Sequence, residues 1–501
     1  MTVTWSWDLQ AYISSSWVSI KRDVEIYKAP LVASRGIEGS DITSRVAAPG
    51  SLTCSLDNGE SNSGGKLGYY SPDHANMRAN FGRGTKVRLK ITYDGTDNYK
   101  FLGTIADLEP SVGQFKERSS FLSAADYMQK LAERRLNLLA VQQDKRSDQI
   151  IDTVLDSMPA APVNVSLDTD KFTLPFALSA EMDEKTTAMG AIQKVCQTVL
   201  GYFYIRGNTT DGETAVFQRE ESRAATANAA TLDDTMSTMR VTRNTDKIKN
   251  HIVGKAHPVR VDDEDVLLYE LESDIFVDGG DTQTFTFRFK DPNNLATRIS
   301  ALDVVTPLVA NTHYRASKYE NGAGADATAL LTITDTNGGN SAEWQIENTG
   351  GYRVFINLIE IFGRGIYYFN PVEVVVESGD GDKSTTYDFY YLSDTHRAKQ
   401  FLYRLHQRIS ATTTEVEGVT FYADESATLM DYAMDLDIGD RVTVQETATG
   451  LNGEYIINHV TYTIETNGTL RVDWKLEPAD THDYFILDSS LLDGADVLSP
   501  Y

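Results

Sequence analysis

Apolar and polar residues alternate along the stretches Gly84–Gly95 and Tyr99–Pro110. Every second residue from Val87 to Ile91 is apolar, and an Asp-Gly pair stands between the two stretches. Alternation at period two is typical of half-buried strands, and Asp-Gly favours a tight turn between them. The pattern therefore predicts a β-hairpin that opens a small barrel.

The same order of features returns near the other end of the chain. Gly439–Val444 has the Gly-x-x-Val pattern of Gly84–Val87, Leu451–Ile457 combines a glycine turn with an aromatic strand, and Leu470–Pro478 ends in Leu-Glu-Pro. The repeat predicts two similar barrels in one chain.

Between these repeats the apolar spacing changes to that of helices. Helices are predicted from Ser123, as the cap, to about Leu139, from Ser147 to Ser157, and from Asp183 to Gly201. The third has an acidic first turn and a glycine at the position of a left-handed C-cap. Cys196 falls on its apolar side and is predicted to be buried.

Helical signals disappear from about residue 251 to residue 390, and strand signals dominate. The strongest strands predicted there are Thr282–Phe289, Ala329–Thr334, Glu343–Asn348, Tyr352–Phe362 and Pro371–Glu377. Their close spacing favours a β-sandwich. A helix from Ser393 to Ser410 then returns the chain to the second barrel.

Composition narrows the class of protein. A chain of 501 residues is long enough for about three domains. Its 46 basic and 72 acidic residues give a net charge of −26, which argues against a surface built to neutralise nucleic-acid phosphates. Two cysteines are too few for a disulfide framework. Without an apolar run of membrane length or a signal peptide, the chain is expected to be made in the cytoplasm.

An aromatic cluster marks the N-terminal segment. Trp5, Trp7 and Trp17 are three of the five tryptophans in the chain. Such a cluster is typical either of a core or of a subunit contact, and the sequence leaves both interpretations open.

Taken together, these motifs resemble those of the baseplate-hub and late-control proteins of tailed bacteriophages. The resemblance to their tube-like first domain is carried by Asp41–Thr43, Phe81–Val87, the strand Tyr99–Ile105 and the segment Ser123–Leu131. The repeat at residues 439–478 is similar to the last domain of that family.

The predicted fold class is α+β, mainly β, with two small tube-like β-barrels flanking a helix-containing domain and an inserted β-sandwich-like domain. The predicted limits are 1–35 for an N-terminal strand segment, 36–130 for the first barrel, 131–250 for a helix-rich α+β domain, 251–390 for the β-rich domain, 391–435 for a return helix and connector, 436–480 for the second barrel and 481–501 for a tail.

Motifs for cofactor binding are incomplete. Gly322–Ala327 matches Gly-x-Gly-x-x-Ala but precedes a strand, whereas a dinucleotide site needs a helix. Gly64–Lys66 lacks the spacing and the hydroxyl residue of a phosphate loop. No Gly-x-Ser-x-Gly elbow occurs. No cofactor is therefore predicted.

Candidate metal and acid sites are equally incomplete. Asp335–Asn340 and Asp380–Ser384 begin like calcium loops, but Ile346 and Tyr391 stand where a bidentate glutamate belongs. The acidic run Asp262–Asp265 is more typical of a solvated loop than of a catalytic carboxylate pair. His396 and His406 lack a third ligand. No catalytic, cofactor-binding or metal-binding residue is predicted, and the chain is not expected to be an enzyme.

The resemblance implies a structural virion protein of a phage tail tip, assembled in the host cytoplasm. Three copies with two barrels each would give a homotrimeric ring that joins the sixfold tail tube to a threefold tip or spike. The implied partners are a tail tube or distal tail protein, a tip, spike or fibre protein, and a tape measure protein in the lumen. No sequence-specific nucleic acid is expected.

Two other classes of function stay open. A receptor-binding or carbohydrate-binding adhesin would use residues 251–390, with Trp344, Tyr352, Tyr367 and Tyr368 against cell-surface sugar. A tail-associated hydrolase of the cell envelope is the third class. An adhesin would bind host cells as an isolated domain, and a hydrolase would clear peptidoglycan.

Overall fold

The first part of the fold is a run of seven strands. The computed structural model describes residues 3–39, 42–112, 117–136, 138–178, 186–242, 248–379, 383–410 and 415–479. The seven strands are β1 (Trp5–Ile13), β2 (Ser16–Ser19), β3 (Leu31–Gly36), β4 (Ala48–Asp57), β5 (Lys86–Tyr93), β6 (Thr96–Val112) and β7 (Arg118–Ala125).

Strands β5 and β6 form the hairpin that the alternating pattern predicts. Val87, Leu89 and Ile91 are fully buried on one face. At the turn, Asp94 and Gly95 have φ values of 46° and 75°, the left-handed pair that suits a two-residue hairpin loop. The hairpin prediction is confirmed.

The middle of the chain alternates short strands and helices. These are α1 (Tyr127–Glu133), β8 (Gln142–Arg146), α2 (Ser147–Asp156), β9 (Val165–Leu167), β10 (Thr173–Ala177), α3 (Ala188–Val199), β11 (Tyr202–Arg206), β12 (Thr214–Gln218), α4 (Glu220–Ala224), β13 (Asn228–Leu232) and β14 (Thr238–Thr242). No helix in the described ranges is long and apolar enough to cross a membrane.

The predicted helix from Ser123 is wrong at its start and too long. Ser123 lies in β7, where Leu122 and Ala124 are buried at period two. The helix begins after Asp126, whose side chain accepts a hydrogen bond from the backbone N–H of Met128. The nearer carboxylate caps the helix because the strand pairing already uses the backbone at Ser123.

The second predicted helix is confirmed as α2, and the third is confirmed over α3. The predicted start at Asp183 lies outside the described residues, and Thr187 caps the helix that is described. The predicted glycine cap is wrong, because Leu200 and not Gly201 adopts the left-handed conformation, with φ 58°. Cys196 is fully buried, as predicted.

The next region is almost entirely β-structure. Its strands are β15 (His251–Ala256), β16 (Val259–Val261), β17 (Val266–Glu270), β18 (Ile275–Val277), β19 (Thr282–Arg288), β20 (Lys290–Asp291), β21 (Asn294–Arg298), β22 (Ser300–Leu302), β23 (Tyr314–Ser317), β24 (Leu331–Asn337), β25 (Ser341–Asn348), β26 (Val354–Tyr368), β27 (Val372–Glu377) and β28 (Ser384–Phe389).

These strands divide between two hydrophobic cores. Strands β16–β26 enclose one core around Trp344 and Ile356, and we call residues 259–368 the β insert. Strands β27, β15 and β28 form a separate sheet in that order, and Ile252 in β15 packs in a different core. Because β15 and β27 are antiparallel neighbours, the β insert leaves and re-enters the body at adjacent strands.

The chain closes with α5 (Thr395–Ile409), β29 (Glu415–Tyr422), α6 (Ala427–Asp435), β30 (Arg441–Glu446), β31 (Leu451–Ile464) and β32 (Leu470–Pro478). Helix α5 confirms the predicted return helix, and its buried side chains Ala398 and Leu402 belong to the same core as Ile252.

One large sheet joins the two ends of the chain. Its strand order is β14-β29-β32-β31-β3-β4-β7-β6-β5-β1-β2. In addition, β30 pairs with β31, and β13 pairs with β30. The α+β, mainly β fold class is confirmed. The pairing of β3 with β31 adds a feature that the pattern did not predict, since the two predicted barrels are parts of a single continuous sheet.

The two halves of this sheet repeat one topology. The order β3-β4-β7-β6-β5 corresponds to β14-β29-β32-β31-β30. Adding 352 to the residue numbers of the β6–β7 ladder gives the β31–β32 ladder. For example, Ile105 pairs with Ala124 in the first ladder, and Ile457 pairs with Leu476 in the second. Both ladders shift register just after this pair, as the same bulge in each half. The repeat found in the sequence is therefore a repeat of strand order and register.

The N-terminal tryptophans lie against the sheet. Trp5 and Trp7 are partly buried and pack on the main hydrophobic core. Trp17 is half-buried, with the Arg88 guanidinium 4.1 Å from its ring centroid and Tyr12 edge-on at 5.2 Å. The core interpretation therefore holds for Trp5 and Trp7.

Candidate functional site

The β3–β31 junction is where the two halves of the large sheet meet. Its antiparallel ladder pairs Leu31 with Ile464 at one end and Gly36 with His459 at the other. Gly36 has φ +125°, and a Cβ there would lie 2.4 Å from the Asn458 carbonyl oxygen, so a side chain would force the strands apart. Leu31 and Ile464 are fully buried, which makes the junction part of the core.

A cluster of buried charges lies at one end of this junction. Arg35 contacts Asp437 at 2.6 Å, and Arg206 contacts Asp440 at 2.6 Å. The Lys100 ammonium donates a 2.7 Å hydrogen bond to a carbonyl of α6, and burial lowers its pKa to about 8. Burial alone would raise the pKa of Asp437, but Arg35 and Arg206 outweigh it and the pKa is lowered. Asp437 therefore stays ionised and ties both halves to β11.

A second charge cluster ties α5 to the sheet. Glu477 accepts hydrogen bonds from Arg408 and, at 2.9 Å, from Asn458, and Arg223 lies 3.5 Å away. Glu220 accepts from Arg408 at 2.9 Å. Burial opposes ionisation of Glu477, yet Arg408 and Arg223 bring its pKa to about 2. Buried ion pairs of this kind fix relative placement more than they add net stability.

One serine–histidine contact occurs at the junction. Ser34 Oγ lies 3.1 Å from His459 Nε2 and 3.1 Å from Thr461 Oγ1. Burial, with Lys475 and Arg35 nearby, lowers the pKa of His459 to about 4. A general base is most effective when its pKa is near the operating pH. This imidazole is therefore a weak base, and the contact chiefly links β3 to β31.

An open groove of about 630 Å³ borders the edge strand β14. Its polar lining includes Arg240, Glu417 and Lys475, together with residues 37–39. Arg240 forms a 3.0 Å ion pair with Glu417 while its side chain stays 80% exposed. Its lining also includes Ile37, Val419 and Trp474, so the groove has a mixed polar and apolar surface.

The incomplete metal motifs of the sequence do not come together into a metal site in the described residues. No group of three or more His, Cys, Asp or Glu side chains suited to a metal lies within the described ranges. His396 contacts Gln400 at 3.2 Å, and His406 contacts Ser378 at 2.9 Å. Residues 380–382 of the second calcium-like loop lie outside the described residues.

The other motifs are placed as surface or strand residues. Gly322–Ala327 is a loop that leads to β24, and Asp335 lies within β24 itself.

Cys54 is fully buried, and burial raises the pKa of its thiol to about 12, which keeps it protonated and unreactive.

The aromatic residues proposed for sugar binding divide by exposure. Trp344 is 1% exposed, so its ring is a core residue and that part of the prediction is wrong. Tyr352 is 42% exposed and Tyr368 is 36% exposed. Tyr367 packs against the core of the β insert, and burial together with a hydrogen bond to Asp262 raises its pKa to about 12.

Sequence reasoning missed the residues that position the halves. Arg35 and Asp437 are about 400 positions apart, and no local pattern relates them. The pair Asp437 and Asp440 on either side of the turn glycine of β30 was the available signal, because two acids beside an apolar strand start need partners when buried.

Comparisons by structure found solved proteins with a similar fold. The match to the 43 kDa tail protein of prophage MuSo2 from Shewanella oneidensis has a TM-score of 0.50 at 11% identity, covering 95% of this chain and 99% of that one. A tail protein from Neisseria meningitidis matches with a TM-score of 0.48 at 10% identity, over 94% and 96% of the two chains.

A third match is an Escherichia coli type VI secretion component described as similar to the T4 tail proteins gp27 and gp5. It has a TM-score of 0.38 at 9% identity, over 90% of this chain and 74% of that one. No protein-family model and no curated protein matches the sequence. The Shewanella match shows that the two proteins share a fold. The fold expected from the resemblance to phage tail proteins is therefore confirmed.

Proposed function

We propose that this chain is a structural, non-enzymatic protein of a bacteriophage tail, carried in the virion after assembly in the host cytoplasm. The observation that carries the proposal is the twofold repeat of one sheet topology in a chain with the fold of a prophage tail protein. Buried ion pairs join the two halves to each other and hold the neighbouring helices on the sheet, which suits a rigid scaffold.

Within the tail, the proposed position is the hub at the tip. Two similar sheet units per chain let three copies present six units to a sixfold tube while keeping threefold symmetry on the other side. The domain limits predicted from the sequence belong to this proposal, with the units of residues 36–130 and 436–480 as the ring-forming parts.

The proposed partners follow from that position. A tail tube or distal tail protein would contact one side of the ring, a tip, spike or fibre protein the other, and a tape measure protein the lumen. A net charge of −26 per chain favours a passage that does not retain nucleic acid.

The test is the mass of the purified chain by light scattering at several salt concentrations, with its tail partners present in a parallel series. We expect light scattering to give the mass of a trimer. We expect electron micrographs to show a ring with a central channel. Higher salt should leave the ring intact, because screening acts mainly on the diffuse repulsion between acidic subunits. A strictly monomeric chain, or a ring of six chains, would contradict the hub.

A second candidate function concerns the β insert alone. Tyr319, 55% exposed, and Tyr352, 42% exposed, lie on either side of Lys318, whose ammonium is within 5.5 Å of both ring centroids. Exposed aromatic rings of this kind favour glycan binding by an adhesin. Full-length protein with Tyr319→Ala and Tyr352→Ala should then lose adsorption to host cells while the ring persists.

A further inference from the structure

One edge of strand β6 lacks a neighbour in the part of the chain that the structure describes. Strand β5 pairs with residues 96–104 of β6, and β7 covers residues 104–112 on the opposite edge. Ile105 still bonds to residues 84 and 85, but the edge beyond it, residues 106–112, has no strand beside it. These residues are mostly exposed, and Val112 is 76% exposed.

The equivalent edge in the other half is occupied. Strand β30 pairs with residues 451–456 of β31, and β3 pairs with residues 459–464 on that same edge. Ile457, the counterpart of Ile105, bonds to residues 439 and 440 just as Ile105 bonds to 84 and 85. Ile464, the counterpart of Val112, is fully buried under β3.

Strand β14 is the counterpart of β3, and it ends the sheet. It pairs with β29 on one side and has no described strand on the other. On this edge Arg240 is exposed and Val241 is 37% exposed, whereas Met239 is partly buried and packs on the main hydrophobic core. Unpaired strand edges invite pairing with another chain.

We infer that β14 of one copy pairs antiparallel with residues 106–112 of β6 in the next copy, as the intermolecular equivalent of the β3–β31 junction. The inference rests on the ring proposed above and names its subunit contact. A contact between two different edges is heterologous, and it closes into a ring when the rotation between copies permits.

The register follows from the internal junction. Val32 pairs with Thr463 across β3 and β31. Val32 pairs with Thr53 of β4, and Arg240 pairs with Gly418, the equivalent residue of β29, so Arg240 takes the place of Val32. In the same way Ser111 of β6 takes the place of Thr463 of β31. The inferred ladder therefore sets Arg240 opposite Ser111.

Charge and apolar contacts favour this register. Exposed Glu109 stands two positions from Ser111 on the same face of β6, within diagonal reach of Arg240. Met239 falls opposite Val112, so the most exposed valine of the edge would be covered as Ile464 is covered. Pro110 lacks an N–H, which suits an edge and limits pairing to a short ladder.

The test is a cysteine pair across the inferred contact. Arg240→Cys combined with Ser111→Cys should, on oxidation of the assembled full chain, link separate copies into covalent dimers and closed trimers. Either substitution alone should link nothing. The two native cysteines do not interfere, because both are fully buried.

The internal junction provides a matched control. Val32→Cys with Thr463→Cys occupies the equivalent positions within one chain and should form an intrachain bond under the same oxidation, with no change in mass. A ring that assembles but does not cross-link through positions 111 and 240 overturns the strand assignment alone. A chain that stays monomeric with its tail partners present overturns the hub as well.

A second variant measures the contact without cysteines. Val112→Asp adds a charge to an exposed position and should leave the fold unchanged, but it should weaken assembly about tenfold or more. Val165→Asp, on the exposed edge strand β9, is the matched control and should assemble normally. Equal assembly of the two variants would contradict the inference.

Discussion

The large sheet and the β insert are both β-structures, but they are stabilised differently. In the sheet, the buried ion pair Arg35–Asp437 joins the two halves, and Glu477–Arg408 ties α5 to the sheet. The β insert has an apolar core around Trp344 and Ile356, and its ion pair Arg353–Asp278 is half-exposed. Relative placement is therefore specified by charge in the sheet, whereas the β insert is stabilised mainly by apolar packing.

The difference predicts two separable units. Buried charges between distant segments make the sheet, the helices around it and α5 one cooperative body. The β insert has its own core and adjacent connections to that body. We expect two thermal transitions, because units with separate cores need not unfold together.

The largest effect is expected from Glu477→Ala. This change leaves the buried Arg408 and Arg223 without their carboxylate, and breaking a buried pair in this way costs roughly 3–5 kcal/mol. Calorimetry should show the transition of the body at much lower temperature and that of the β insert unchanged.

The matched control is Asp278→Ala in the β insert. It also removes the acid of an arginine pair, but at an exposed site, where solvent screens the pair and little stability should be lost. If the two variants lost similar stability, the distinction between the regions would fail.

A core substitution tests the β insert in the opposite sense. Ile356 is fully buried at the centre of that core, and Ile356→Ala should lower the free energy of unfolding of the insert by about 2–5 kcal/mol. The transition of the body should not move. A shift of both transitions by the same amount would show that the two regions fold as one unit.

Much of this comparison could be predicted from the sequence, and part could not. Period-two alternation located β5, β6, β30 and β31, because a strand with one buried face must alternate. Helix ends were less certain, since Ser123 and Asp126 are both good caps and only the strand pairing of β7 chooses between them. The β3–β31 junction and the Arg35–Asp437 pair depend on contacts between distant segments, for which one sequence carries no local signal.

A pH-dependent effect is expected from His459 at the junction. Its pKa in the folded chain is about 4, below its ordinary value of 6.5. Between these values the unfolded chain binds a proton that the folded chain does not, so stability is lost as pH falls from about 6.5 to about 4, by on the order of 3 kcal/mol. Asp126 contributes with the opposite sign over an overlapping pH range. The slope from His459 is therefore measured as the difference in stability between the wild-type chain and His459→Gln, from denaturant titrations of the body at several pH values.

His459→Gln removes the titrating group, so it should lose less stability than the wild-type chain as pH falls from about 6.5 to about 4. The amide keeps a partner for Ser34, so the junction itself should persist. An unchanged slope in the variant would assign the pH dependence to other groups.

Asp126 changes the stability with pH in the opposite direction. Burial raises its pKa from 3.8 to about 7, so the stability that it contributes is lost as pH rises between these two values.

The smallest effect on the body is expected from removing the β insert altogether. Ala256 and Val372 are the last pair of the β15–β27 ladder, so an Asn-Gly turn in place of residues 257–371 would close a hairpin without stretching the chain. The body loses two backbone hydrogen bonds, from Gly339 N–H to the Leu139 carbonyl and from His257 N–H to the Leu392 carbonyl, both 2.8 Å long and each worth about 1 kcal/mol. It also loses the contact of the His257 ring with Asp388. One transition should disappear, the other should move little, and the ring should still form. Val112→Asp is the reverse control, because it should keep both transitions and weaken assembly of the ring. If the deletion variant failed to assemble although its body was folded, the β insert would belong to the ring, and the separation between the two regions would be wrong.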